Sequence, residues 1–218
     1  MSKLPAGERM STENACRWLL IWCVAGLVIS GLQPYERVTW IMEVAPVVVV
    51  MPLLWITRRR FPLTTLLYVL ISMHALILMT GGHYTYARVP LGNWLQQALH
   101  LARNDFDRLG HLAQGFIPAI AVRELLLRQT PLRGGGWLFV LVSCCCLAVS
   151  ACYEFIEWWT ALLLGSGAND FLATQGDIWD TQWDMLMAAV GSVFGQLLLA
   201  RWHDRQLAAL LRPDTGVA

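Results

Sequence analysis

Charge is scarce in this chain. Only 14% of its 218 residues are Asp, Glu, Lys or Arg, against about 25% in soluble domains, so an ordinary water-soluble globule is excluded. The net charge of +1 leaves no basic footprint for nucleic acid. Several familiar chemical signatures are also missing: no Cys-x-x-Cys, His-Glu-x-x-His, Gly-x-Ser-x-Gly, phosphate-binding loop or glycine-rich nucleotide fingerprint occurs. The six cysteines, Cys16, Cys23, Cys144, Cys145, Cys146 and Cys152, all fall inside apolar stretches. Three consecutive cysteines on a helix point about 100° apart and cannot all line one site. They are expected as small buried hydrophobes, and no disulfide framework is inferred.

Apolar residues make up 56% of the chain, in windows approaching the roughly 20 residues that cross a bilayer. The expected fold is all-α: a single integral membrane domain over 1–218, with six transmembrane helices and one interfacial helix. The expected spans are 18–32, 38–56, 61–80, 109–127, 136–164 and 184–200. The first follows Lys3, Arg9 and Arg17 and lacks a convincing cleavage site, so it reads as an uncleaved anchor. The second holds Pro46 and Pro52, which membrane helices tolerate. Between spans three and four, Gly81, Gly82, Pro90 and Gly92 read as a loop. Leu95, Leu99, Ala102 and Phe106 then recur at helical spacing opposite Gln96, Gln97, His100 and Arg103, the pattern of an interfacial helix.

With both termini cytoplasmic, twelve basic residues fall on the inner side: Lys3, Arg9, Arg17, Arg58, Arg59, Arg60, Arg123, Arg128, Arg133, Arg201, Arg205 and Arg212. Four fall on the outer side: Arg37, Arg88, Arg103 and Arg108. The positive-inside rule therefore predicts a multi-pass protein of the bacterial inner membrane with both ends cytoplasmic. Trp40, Trp94, Trp158, Trp159, Trp179 and Trp183 then mark the outer boundary as an aromatic belt. The lipid bilayer is the one partner the sequence implies.

Ten of the fifteen acidic residues fall at that outer end. Asp107 and His111 are four apart and share a helix face, as do Glu154 and Glu157 three apart. Asp177, Asp180 and Asp184 line one stripe if their helix starts early. Two carboxylates about 6 Å apart repel by roughly 3 kcal/mol at an effective dielectric of 20. Desolvation adds on the order of 2.5–3.5 kcal/mol each near mid-membrane. Three things offset this: an ion-pair network through Arg108, a divalent cation, or protons. The metal-ligand candidates are Asp107, His111, Glu154, Glu157, Asp180 and Asp184; the catalytic candidates are Glu154, Glu157 and His111; Arg108 is the anion-binding candidate. His83 is read as a solvated loop residue or a further member of the site, and Glu43 as a support for the cluster or a partner of Arg37. His74 is read as hydrogen-bonded in the core, and Arg123–Glu124 as an interfacial pair at the inner end.

The segments Asn104-Asp-Phe-Asp-Arg-Leu-Gly-His111, Tyr153-Glu-Phe-Ile-Glu-Trp-Trp159 and Gly176-Asp-Ile-Trp-Asp-Thr-Gln-Trp-Asp184 resemble the YjdF family of bacterial multi-pass inner-membrane proteins. More distantly, the layout is similar to VanZ-like membrane proteins. There an Asp-Lys-x-x-His segment, a glutamate-bearing helix and an Asp-x-x-x-Asn-x-x-Gly segment follow in order. Here Asp107, Arg108 and His111 match the first, Glu154 or Glu157 the second, and Asp184 with Gly191 the third. Arg108 replaces the lysine and Ala188 the asparagine. The resemblance implies the topology and brings no reaction with it.

Three function classes follow. The first is a membrane protein whose outward-facing carboxylate–histidine cluster takes a cation or a polar headgroup. The second is an enzyme on a lipid-linked envelope substrate, with Glu154 or Glu157 as general base, Asp180 and Asp184 holding a metal and Arg108 an anionic group. The third is a proton-coupled transporter.

Overall fold

The computed structural model describes residues 6–165 and 169–211. In chain order its helices are α1 (Ala6–Gly31), α2 (Arg37–Thr57), α3 (Thr65–Tyr84), a 3-10 turn (Tyr86–Arg88), α4 (Pro90–Leu99), α5 (Phe106–Gln129), α6 (Gly136–Leu164), α7 (Asn169–Leu172) and α8 (Asp180–Leu210). Among the described residues there is no strand. Gly165-Ser166-Gly167 reads in sequence as a helix break; Gly165 ends α6 at φ 56°, and Ser166 and Gly167 lie outside the described residues.

Five stretches are long and apolar enough to cross a membrane: Glu13–Gly31, Arg37–Thr57, Thr65–Tyr84, Gly136–Leu164 and Asp180–Leu210. The expected span at 109–127 lies within α5, whose 24 residues reach about 36 Å. That helix is not among the five, because Asp107, Arg108, Arg123, Glu124 and Arg128 dilute its apolar run. It packs against α3, α6 and α8, and a helix covered by protein need not be apolar all round.

The helices form two groups of three. In one, α1, α2 and α3 bury Cys16, Leu19, Cys23, Val44, Val47, Leu67 and Met79. In the other, α6 packs on α5 through Leu138, Val142, Cys146 and Ala119. The tightest contact joins α5 and α8. A Cβ at Gly115 would overlap the carbonyl of Ala188, and one at Gly191 would overlap the carbonyl of Leu112. Glycine lets the two backbones touch, as small residues do in membrane helix pairs.

Several local expectations change. α3 continues through Gly81 and Gly82 to Tyr84, and Tyr86 and Trp40 pack against the two glycines where a side chain would stand. The helix after it starts earlier than its apolar stripe implied. Pro90 opens α4, a position that suits its missing N–H. His100 closes it in the left-handed conformation at φ 53°; Ala102 falls in the connection and Phe106 begins α5. The apolar face of α4 is exposed at Leu91, Trp94 and Leu99, which suits a helix on the membrane surface. Only Cys16, Cys23 and Cys146 are buried; Cys144, Cys145 and Cys152 lie on the outside of the bundle, and all six are free thiols. Successive helical positions point apart, so only Cys146 faces α5.

Arg123 and Glu124 do not pair with each other. Arg123 forks onto Asp204 at 2.6 and 3.1 Å and donates to His203 Nδ1 at 2.8 Å. Glu124 accepts from Arg128 (2.7 Å), Thr64 Oγ1 (2.9 Å) and His203 Nε2 (3.1 Å). Arginine cannot accept a hydrogen bond, so His203 Nδ1 must carry a lone pair and its proton sits on Nε2. This network ties α3, α5 and α8 at the arginine-rich end.

Candidate functional site

The opposite end holds the acidic cluster. A charged rim is built first. Asn104, 1% exposed, donates from Nδ2 to Val89 O and Asn93 Oδ1, and its Oδ1 accepts from the Phe106 amide. Gln175 returns two bonds to its backbone, at 3.1 and 2.8 Å. These bonds pin the 100–106 connection to the 173–176 turn and so place Arg103. Arg103 donates to Asp180 at 2.5 Å and to the Thr174 carbonyl at 2.8 Å, with Asp105, Asp177 and Asp107 within 3.4 to 3.9 Å. Burial works against the Arg103 charge, but its bond to Asp180 and the neighbouring carboxylates outweigh that and hold its pKa above the ordinary value. Arg108 pairs with Asp177 at 2.7 Å and Asp105 at 3.2 Å, above the Trp183 ring. Asp177 precedes α8 and accepts from the Trp179 amide, so only Asp180 and Asp184 share the helix.

Inside this rim the positive charges run out. Asp107 and His111 stand in the first turns of α5, Glu154 and Glu157 near the end of α6, and Asp184 one turn into α8. His111 Nε2 lies 3.7 Å from Asp107 Oδ1, 3.9 Å from Asp184 Oδ2 and 4.0 Å from Glu154 Oε1. These separations are too long for hydrogen bonds. Asp107, His111 and Asp184 offer ligand atoms all within 4.8 Å of one another, and His111, Glu154 and Glu157 do the same. At 4.8 Å, two carboxylates repel by about 3.5 kcal/mol at an effective dielectric of 20. His111, Glu154 and Asp184 are 5%, 6% and 1% exposed. Even so, His111 Nδ1, both Glu154 oxygens and Asp184 Oδ1 are buried with no hydrogen-bond partner.

The glycine contact sets this spacing. Gly115 is one turn deeper than His111 and Ala188 one turn deeper than Asp184, so the backbone approach of α5 to α8 brings that pair together. Two further groups close the floor. Glu43 of α2 is buried and accepts from the Tyr153 hydroxyl at 3.3 Å, so it supports the cluster and not Arg37. Tyr86 packs on Gly81 and Gly110; burial, then nearby Glu43, raise its phenol pKa well above the ordinary value.

The structure gathers Asp107, His111, Glu154, Glu157 and Asp184, and turns Asp180 and Arg108 to the rim. Arg103, Asn104, Gln175, Tyr86 and Tyr153 are the members that sequence reasoning missed. The i, i+4 spacing of Arg103 and Asp107 was a usable signal, and Asn104 and Tyr153 open two of the segments that carry the family resemblance; nothing in the sequence pointed to Gln175. His83 binds the Ser30 carbonyl at 2.8 Å and belongs to the α1–α3 packing. His74 has no hydrogen-bond partner among the described residues and lines a cavity.

Residues 15–205 match the family described as "Predicted membrane protein (DUF2238)". The chain belongs to this family. It is also 53% identical over 181 residues to "Inner membrane protein YjdF" of Escherichia coli K12, a match covering 83% of this chain and 87% of that protein. No solved structure matches. The chain is a membrane protein, multi-pass and of the inner membrane, and the bilayer is its immediate partner.

Proposed function

We propose that this protein binds one divalent transition-metal cation at its carboxylate–histidine cluster, on the periplasmic side of the inner membrane. The observation that carries the reading is the buried group itself: His111, Glu154 and Asp184 are each more than nine-tenths buried. Glu154 Oε1 and Asp184 Oδ2 stand 4.0 and 3.9 Å from His111 Nε2 without a hydrogen bond, and His111 Nδ1, both Glu154 oxygens and Asp184 Oδ1 have no partner. A buried polar atom with no partner costs about 1–3 kcal/mol, more when charged. Here four such atoms belong to side chains set among carboxylates that repel one another. A cation removes both penalties.

The donor set fits. Ligand atoms stand about 2.0–2.2 Å from such an ion, so ligands on opposite sides lie up to about 4.4 Å apart. The 3.7 to 4.0 Å separations around His111 Nε2 sit inside that limit. Carboxylates with one imidazole suit Mn²⁺ or Zn²⁺. Asp107, His111 and Asp184 form one ligand group and His111, Glu154 and Glu157 a second that shares the histidine. The first holds the ion, and Glu154, 4.0 Å from His111 Nε2, reaches it by a side-chain rotation, with Glu157 as a fifth donor. Arg103 and Arg108 hold the rim aspartates and keep them from competing for the ion. The orientation rests on the twelve-to-four distribution of basic residues.

Metal analysis of detergent-purified protein, with Mn²⁺ titration followed by electron paramagnetic resonance, tests the reading. Wild type is expected to hold about one ion per chain. Glu154→Gln and Asp184→Asn should lose it while keeping wild-type helical content by circular dichroism. Folded wild-type protein that takes up no Mn²⁺ or Zn²⁺ overturns the proposal.

A further inference from the structure

One side of the cluster, Asp107, His111 and Glu157, faces a larger space. A cavity of about 640 Å³ lies between α2, α3, α5 and α6, within the range of about 300–1,000 Å³ typical of small-molecule sites. Glu43, Asp107, His111, Tyr153 and Glu157 line one end. Beyond them, apart from His74, Gln114 and Thr57, the wall is apolar: Val47, Met51, Ile71, Ile117 and Leu125 mark its course. On α2 the lining runs from Glu43 to Thr57, fourteen residues or about 21 Å of helix. A mostly apolar wall of that length suits one extended hydrocarbon chain.

An apolar cavity inside a bilayer is not filled by water, which needs two to four polar partners. Hydrocarbon fills it at no such cost. At the polar end, Arg103 and Arg108 are already held by Asp177, Asp180 and Asp105, so the cation is the free positive charge facing the cavity. A phosphate oxygen is a hard donor that completes the shell of a carboxylate-bound divalent ion. We infer that the cavity takes one hydrocarbon chain of a membrane lipid whose phosphate head ligates the cation at Asp107, His111, Glu154 and Asp184. This inference rests on the cation reading above.

The test uses full-length protein in detergent, Mn²⁺ and phosphatidic acid carrying one fluorescent acyl chain. Ala75→Trp on α3 and Ala121→Trp on α5 each place an indole in the cavity wall, away from the ion. Both are expected to keep wild-type Mn²⁺ stoichiometry and to bind the probe at least tenfold more weakly. In wild type, removing Mn²⁺ with a chelator, or replacing the probe by the corresponding neutral diacylglycerol, should each cost at least tenfold. Trp variants that bind Mn²⁺ and hold the probe as tightly as wild type overturn the chain site and leave the cation reading intact. Wild type that binds no Mn²⁺ overturns the cation reading, and with it the phosphate ligation. If neither Trp variant keeps Mn²⁺, wild type decides alone: equal affinity for dihexanoyl and long-chain phosphatidic acid refutes the inference, and a tenfold preference for the long chain supports it.

Discussion

Gly115→Ala separates packing from intrinsic preference. On helix propensity alone, alanine is favoured over glycine by about 0.8–1.0 kcal/mol. At this position the added Cβ meets Ala188 C at 2.7 Å and Ala188 Cα at 2.9 Å, where ordinary contact begins at 3.4 Å. The obstacle is backbone and cannot rotate aside. α5 and α8 must therefore open by more than about 0.7 Å, since the Ala188 carbonyl oxygen is nearer still than these two atoms, at an overpacking cost toward the upper end of the usual range, about 2–3 kcal/mol. The net expectation is a loss of about 1–2 kcal/mol, or roughly 2–8 °C in melting temperature for a chain of this size. The opening acts one turn from the 3.9 Å approach of His111 to Asp184, so Mn²⁺ affinity should fall at least tenfold in the same variant. The assay is a thermal melt in detergent beside a Mn²⁺ titration, with Gly134→Ala as control, since nothing lies within 4 Å of a Cβ there. A Gly115→Ala protein that melts higher than wild type and binds Mn²⁺ equally well refutes the reasoning.

Glu36 caps α2 by accepting from the Val38 and Thr39 amides at 3.0 and 2.5 Å. Burial opposes its charge, but these bonds win and hold its pKa below the ordinary carboxylate value. Its stabilisation is therefore complete above the unfolded value of about 4.3 and lost as pH falls through the lower folded value. Glu36→Ala should lose about 1 kcal/mol at pH 7, and melts of the two proteins should converge as pH falls below the lowered folded value. At the arginine-rich end, Glu124→Ala strands Arg128 and the His203 Nε2–H. A loss of about 3–5 kcal/mol is expected, read as a large drop in melting temperature with Mn²⁺ stoichiometry unchanged in the folded fraction. A C-terminal fusion to a reporter active only in the cytoplasm should be active; activity of a periplasm-only reporter would reverse the orientation.

What the sequence by itself determined is the class of protein and the inventory of its site. Long apolar runs dictate membrane helices whatever their partners, because a bilayer offers the backbone no hydrogen bonds and only helices or closed barrels satisfy it. The spacing of Asp107 with His111, and of Glu154 with Glu157, follows from helical periodicity, so their faces were legible too. The polarity of α5 was not. It is tolerated because three other helices cover it, which no property of residues 106–129 encodes locally. The assignment of partners was equally out of reach. Arg103 meets Asp180, 77 residues away, and Glu124 meets His203, 79 residues away, through bonds that depend on how whole helices dock. Tertiary structure alone decided which carboxylates are neutralised at the rim and which are left facing one another. The docking distance came from glycine against backbone at Gly115 and Gly191, and a residue without a side chain leaves no trace of its partner in the sequence.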